Sequence, residues 1–273
     1  MSAFGFSKKI TVSARESDEY LRFAQRVARE AGQATLPFFR ADVRVENKLE
    51  GDFDPVTEAD KAAERIIRDA VEATYPKHGV FGEEFGHKIG NGLTWVIDPI
   101  DGTKAFMTGM LHWGVLVGLF DGEQPVIGVM YQPYTDELFY GDGESAWFRR
   151  GSDDERRLST SACDDLSAAI MATTGIRFYH GDAVESFNKM VDATRMCRLG
   201  GDCYLYATLA LGYLDIVSES SLHPFDIQPV IPIVRGAGGV VTTFAGDDPS
   251  MGGSVVASAN KPLHRQILDL ING

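Results

Sequence analysis

Cysteine is scarce in this 273-residue chain: Cys163, Cys197 and Cys203 form no CxxC pair and no even set. That excludes a disulfide framework and a thiolate metal site, and predicts buried thiols. Long apolar runs are missing too. The two longest, "WGVLVGLF" and "VIPIV", fall well short of the roughly 18 residues a spanning helix needs. The opening stretch "MSAFGFSKKITVSARESDEY" carries charges where an export signal would need an apolar core, so neither export nor a lipid anchor is expected and the cytoplasm is the default. Basic charge is in deficit: 26 Lys and Arg stand against 39 Asp and Glu, a formal net charge of −13. Nucleic acid and anionic membranes require a basic face to displace counterions, so neither is an expected partner. A small anion remains admissible where metal ions reverse the local sign. The six histidines, His78, His87, His112, His180, His223 and His264, have no ligand spacing, which predicts surface or supporting roles. No Ser-His-Asp triad is evident, and Gly236, Gly238 and Gly239 close a helix where a dinucleotide loop would open one.

Hydrophobic residues make up 44% of the chain, ample for a sizeable core in one α/β domain or two closely packed lobes. Leu21, Ala24, Val27, Ala28, Ala31, Ala34 and Phe38 recur at helical spacing and predict an amphipathic helix from Tyr20 to Phe39. In "NKLEGDFDPVTEADKAAE", Pro55 delays helix and Thr57 with Asp60 reads as a cap and its box partner, opening a second helix that runs to about Tyr75. From 93 to about 149 the texture turns to short β-type runs separated by "DGEQP" and "DGE" turns, which predicts a mostly antiparallel sheet. The last third alternates strands near 168–174, 195–199, 214–219, 239–244 and 254–258 with helices at about 183–193, 202–212, 226–237 and 260–271. No repeat, low-complexity tract or linker interrupts the chain. A single unit over 1–273 is expected, with lobes of roughly 1–155 and 156–273 sharing an extensive interface.

"WVIDPIDGTKAF", residues 95 to 106, ends an apolar strand by setting Asp98 and Asp101 close together with Pro99 between them. Two carboxylates fixed that near repel and need a proton, a cationic side chain or a metal. Lys104 is the only local cation. Oxygen-only donors suit Mg²⁺ or Mn²⁺, and the turn adds the Ile100 carbonyl. Gly102 and Thr103 begin a short helix whose free amides could cradle phosphate. A plain Asp-Gly turn capped by Thr103 is the alternative. Asp226 precedes a predicted helix, where it could point into a cleft or only cap that helix.

Taken together, "GEE" at 82–84, "WVIDPIDGT" at 95–103, "PFDIQPVIPIVRGAGG" at 224–239 and "DPVTEAD" at 54–60 resemble the signature blocks of the inositol monophosphatase superfamily, in order and over nearly the whole chain. The resemblance implies an α/β (α+β) fold, a layered αβαβα sandwich, usually dimeric, and a metal-dependent, lithium-sensitive phosphatase using two or three Mg²⁺ ions. It makes Glu83, Asp98 and the Ile100 carbonyl ligands of one metal, and Asp98, Asp101 and Asp226 ligands of a second. A third, weaker ion leans on Glu83. Asp54, Glu83 and Thr103 would orient the attacking water in an in-line displacement without a phosphoenzyme, while the Gly102 and Thr103 amides hold phosphate. Glu84 reads as a supporting or surface residue, and Lys48 as a solvated loop lysine. "GGDCYLYA", with "HPFDIQPVIPIVRGAGG" and "DPIDGTKAF", is more similar to the histidinol-phosphate phosphatases of the superfamily, since the inositol branch usually has a small neutral residue in the place of Asp202. Asp202 would pair with the substrate ammonium and Glu219 would be the second substrate contact. Asp202 could equally cap the helix after it, and Arg198 could balance its charge. The implied substrate is L-histidinol phosphate, placing the chain in histidine biosynthesis, with inositol 1-phosphate next and nucleotide 3′-phosphates or fructose bisphosphate behind. A reading of another class is a protein-binding scaffold acting on transcription machinery, as some relatives do.

Overall fold

The computed structural model describes residues 9–41, 45–47 and 55–273, the short segments 45–47 and 55–57 by backbone alone. Helix α1 spans Ala14–Thr35. It opens earlier than the apolar spacing predicts because Ser13 caps it: the Ser13 side chain accepts from the Glu16 amide, and Glu16 Oε2 accepts from the Ser13 amide at 2.9 Å. This reciprocal box satisfies two amides that a helix end leaves bare. Pro37, which has no N–H, follows the last turn. Strands β1 (Val45–Asn47) and β2 (Pro55–Thr57) pair antiparallel, and α2 runs Glu58–Thr74.

Next come β3 (Gly79–Gly82), β4 (Gly86–Lys88), β5 (Thr94–Asp101), the short α3 (Thr103–Met107), β6 (Gly114–Phe120), β7 (Pro125–Gln132), β8 (Glu137–Gly141), β9 (Ala146–Arg150) and β10 (Arg156–Arg157). They form an eight-stranded sheet in the order β10-β9-β8-β7-β6-β5-β3-β4. Every pairing in it is antiparallel except β3 with β5. The antiparallel body was legible; β3, β4 and β10 were not, because four residues or fewer carry too little alternation.

The remainder supplies β11 (Ile170–Thr173), α4 (Asp182–Ala193), β12 (Met196–Leu199), α5 (Tyr204–Ala210), β13 (Ile216–Leu222), α6 (Pro224–Ile227), α7 (Ile231–Gly236), β14 (Val240–Thr243), β15 (Gly253–Ser258) and α8 (Lys261–Asn272). A second sheet has the order β12-β11-β13-β15-β14. The single helix expected over 226–237 is two short ones. Pro229 lies in the break between them, where it can donate no backbone hydrogen bond.

Three apolar clusters define the layers. α1 and α2 bury Phe23, Val27, Ala63 and Ile67 against Trp95, Ile97, Val117 and Val129 on one face of the first sheet. On its other face Leu116, Met130 and Phe139 meet Leu205, Ile231 and Val234 of α5 and α7, which reach across to Val217, Val255 and Ala257 of the second sheet. α4 and α8 cover the far side through Phe187, Met190, Leu263 and Ile267. The order is therefore helix, sheet, helix, sheet, helix. The middle helices sit close because β7 offers no side chain at Gly128, where a Cβ would meet the Pro229 carbonyl oxygen at 1.8 Å.

Two sequence expectations need correction. Only Cys203 is fully buried; Cys163 and Cys197 are partly exposed. His78 and His264 lie in the core, not at the surface: the Trp95 indole donates to His78 Nδ1 at 3.2 Å, and His264 bonds to Ser258 and Thr242. Among the described residues no helix is long and apolar enough to cross a membrane.

Candidate active site

β5 is buried along almost its whole length, and its register against β6 changes between Asp98 and Asp101. In a regular strand, residues three apart face opposite sides. Here Asp98 pairs with Leu116 and Asp101 with Gly114, so β5 carries one residue more than β6 over this stretch. Such a bulge turns the second carboxylate to the side of the first. Pro99, at the bulge, has no amide to lose from the ladder. Asp226 arrives from α6. It lies inside that helix rather than ahead of it, and its Oδ2 accepts the His223 amide at 2.7 Å, so the expectation that it precedes the helix is corrected by one turn.

One carboxylate oxygen from each of Asp98, Asp101 and Asp226 lies within 4.8 Å of the others. Asp98 Oδ1 also accepts the Ile100 amide at 3.1 Å, and Asp101 Oδ2 the Cys203 amide at 2.6 Å. Burial pushes the Asp98 carboxyl well up from its ordinary range, and Glu83, Asp101 and Asp226 add to the rise. Asp226 is raised by burial and by Asp101, against the opposing His223 amide. Asp101 is raised by burial and partly relieved by Cys203. Like charges this close in a poorly solvated cleft take up protons, or a cation in their place.

These groups and Glu83 line a cleft of about 460 Å³ together with Ile100, Gly102, Thr103 and Lys104. Lys104 is the one lysine or arginine on that lining among the described residues. The chain thus offers oxygen donors converging from β5 and α6, with Glu83 beyond the end of β3, and little positive charge of its own. That donor set fits a hard divalent ion such as Mg²⁺. Gly102 opens α3 with φ of 86°, and a Cβ there would meet the His112 carbonyl oxygen at 2.5 Å, so only glycine fits this turn. Thr103 Oγ1 donates to the Ile100 carbonyl at 3.1 Å.

The turn that follows Glu83 is held by a residue with no motif to single it out. Glu64 on α2 is fully buried and accepts the Glu84 amide at 2.7 Å, the Phe85 amide at 3.2 Å and Arg68 Nε at 2.6 Å. Arg68 also donates to the Gly86 carbonyl. In sequence Glu64 and Arg68 look like an ordinary exposed i,i+4 pair.

A smaller cavity of about 130 Å³ opens beside the carboxylates, lined by Asp101, Thr174, Asp202, Tyr206 and Glu219 among others. Glu219 is 4% exposed and accepts the Thr174 amide at 2.6 Å and its hydroxyl at 3.0 Å. Burial lifts its carboxyl to about 8. Asp202 rises to about 7 through burial and Asp101, with Lys104 opposing. Asp202 has φ of 45°, and its amide donates to Thr174 Oγ1 at 3.1 Å. It is not the cap of α5: Cys203 occupies that position, without a side-chain cap bond. Arg198 is exposed, and the cation that acts on Asp202 is Lys104, whose Nζ lies 5.0 Å from the centre of the Phe178 ring. Thr174 and Phe178 carried no motif that would have marked them, and Tyr206, inside "GGDCYLYA", was not singled out there. Asp54 and Lys48 fall outside the described residues.

A family model described as the inositol monophosphatase family matches residues 16–272. A histidinol-phosphatase of Chlorobaculum parvum is 35% identical over 257 residues, covering 92% of this chain and 96% of that one. The Nus factor SuhB of Salmonella typhimurium is 32% identical over 246 residues, covering 87% and 90%. Among solved structures, an inositol monophosphatase from Zymomonas mobilis superposes with a TM-score of 0.83 at 34% identity, covering 96% of this chain and all 100% of that one. With the αβαβα layering and the carboxylate cleft, these matches place the chain in the inositol monophosphatase family, as a phosphoric monoester hydrolase.

Proposed function

We propose that the chain hydrolyses L-histidinol phosphate to L-histidinol and phosphate, with Mg²⁺ as cofactor. The observation that carries this reading is the acidic compartment beside the carboxylate cluster, where Asp202 and Glu219 line one cavity. Histidinol phosphate brings an ammonium and a titratable imidazole, and one buried and one half-buried carboxyl would recognise such an alcohol by charge-assisted hydrogen bonds. The histidinol-phosphatase relative supports the same substrate.

In this scheme Asp98, Asp101, Asp226, Glu83 and the Ile100 carbonyl hold the metal ions. Bound Mg²⁺ supplies neutralisation of the phosphate and Lewis-acid activation. The chain's own groups do the rest. The Gly102 and Thr103 amides orient the phosphate; Thr103, Glu83 and Asp54 aim a water along the line opposite the ester oxygen; Asp202 and Glu219 fix the alcohol so that this oxygen faces the cleft. Charging Asp202 and Glu219 is unfavourable in the empty cavity, and an ammonium entering it offsets that cost. A neutral polyol gains less, though carboxyls held protonated near neutrality can donate to hydroxyls. Inositol 1-phosphate is for that reason the second reading. A homodimer belongs to the proposal, and sedimentation velocity tests it. The SuhB relative gives the scaffold alternative its interest; lysate pull-down with an Asp98→Asn protein tests it separately from turnover.

Phosphate release from L-histidinol phosphate, inositol 1-phosphate and adenosine 3′,5′-bisphosphate, each with Mg²⁺ and with chelator, tests the substrate. The reading expects a kcat/KM for histidinol phosphate at least about tenfold above the others, the worth of one charge-assisted contact. Equal rates would overturn it.

A further inference from the structure

Tyr206 stands on α5 and is 3% exposed, yet among the described residues its hydroxyl, itself buried, has no hydrogen-bond partner. Two neighbouring groups already have partners of their own. Glu219 accepts twice from Thr174, both times on its Oε1, and the neighbouring Tyr179 hydroxyl donates to the Ser218 carbonyl at 2.6 Å. Folded proteins seldom leave a buried hydroxyl unpaired, and each exception calls for an explanation, a bond completed by a bound group being one. Tyr206 lines the same small cavity as Asp202 and Glu219. Burial, Glu219, Asp101 and Asp226 all keep its phenol protonated. It therefore holds an unpaired O–H donor in the wall of a compartment lined also by carboxyls, the Cys203 thiol and the hydroxyls of Thr174, Ser220 and Ser221.

We propose that the Tyr206 hydroxyl determines specificity by donating a hydrogen bond to an acceptor atom on the alcohol half of the phosphate ester, a neutral ring nitrogen or a hydroxyl oxygen. Asp202 and Glu219 recognise donors and positive charge, and Tyr206 reads the complementary acceptor. The inference rests on the proposed role of this cavity as the alcohol compartment. It does not depend on which alcohol is preferred.

Tyr206→Phe keeps the ring and removes only the oxygen, so the fold loses no hydrogen bond. The test uses the Mg²⁺-loaded enzyme with L-histidinol phosphate, inositol 1-phosphate and methyl phosphate, whose alcohol is too small to fill the cavity. For whichever larger ester the parent enzyme prefers, kcat/KM should fall about tenfold. Methyl phosphate hydrolysis should change less than about twofold, and the metal-free Tm should stay level or rise, since an unsatisfied buried group has gone. Equal losses on all esters, no loss on the preferred larger one, or a lowered Tm would each overturn the inference. A parent enzyme that favours inositol 1-phosphate would refute the cationic substrate while leaving Tyr206 to be judged on that ester.

Discussion

Asp202 combines a left-handed backbone, a half-buried carboxyl pushed up to about 7 and a place on the lining of both the carboxylate cleft and the smaller cavity beside it. Asparagine tolerates left-handed φ as well as aspartate does. Asp202→Asn should therefore leave Tm level or slightly raised, because a charge facing Asp101 is gone. In the same variant kcat/KM for L-histidinol phosphate should fall about tenfold or more, with inositol 1-phosphate affected less than about threefold. Steady-state kinetics beside a melting curve checks both halves; equal losses with a lowered Tm would assign Asp202 to folding. At this scale the sequence was informative where chemistry is written in residue type. Asp98, Asp101 and Asp226 were named from carboxylate spacing and resemblance, and their oxygens converge. Thr174 and Tyr206 were not legible as contacts, because a lone threonine after a strand or a tyrosine on an apolar helix gives no signal of what it faces until the chain folds.

Elements aim these side chains. The β5 bulge presents Asp98 and Asp101 on one side, and the broken α6–α7 segment delivers Asp226 while letting Pro229 pack on Gly128. The break could have been read from Pro229 and Pro232; the bulge could not, since it depends on the partner strand's register. Glu64 does the same for the Glu83 loop by tying α2 to the Glu84 and Phe85 amides. Glu64→Gln weakens two amide bonds and the Arg68 pair at a fully buried position. A stability loss of roughly 1.5–3 kcal/mol by urea unfolding is expected. The Mg²⁺ concentration for half-maximal activity should rise severalfold while kcat at saturating Mg²⁺ stays within about twofold. A kcat loss that saturating Mg²⁺ does not recover would give Glu64 a role other than holding the loop.

On the scale of the whole molecule, the layers were legible because each is built from long periodic patterns, α1, α2 and the β5–β9 sheet above all. What escaped were ends and short strands, where caps and neighbours decide. The molecule also carries a stability cost at its centre. Asp98 and Asp226 are held well above the ordinary 3.8, Asp202 rises to about 7 and Glu219 to about 8. Folded protein therefore binds more protons than unfolded chain across this range, and metal-free stability falls as pH climbs from the ordinary carboxyl values through about 8. A divalent ion binds the charged carboxylates of the folded state and stabilises it by mass action. The Tm gain on adding Mg²⁺ should accordingly be larger at about pH 8 than at about pH 5.5. A gain that shrinks with rising pH would mean the ion binds elsewhere.

The central claim is that buried like charges are kept for the cation they bind. Asp98→Asn removes one of them at the most enclosed position of the cluster. The decisive measurement is the Tm of this variant with and without Mg²⁺, read beside phosphate release. The account predicts a metal-free Tm at or above that of the parent protein, no Mg²⁺-induced rise, and activity reduced by about a thousandfold or more. A variant that melts lower without metal, still gains stability from Mg²⁺ and still turns over phosphate ester would contradict it.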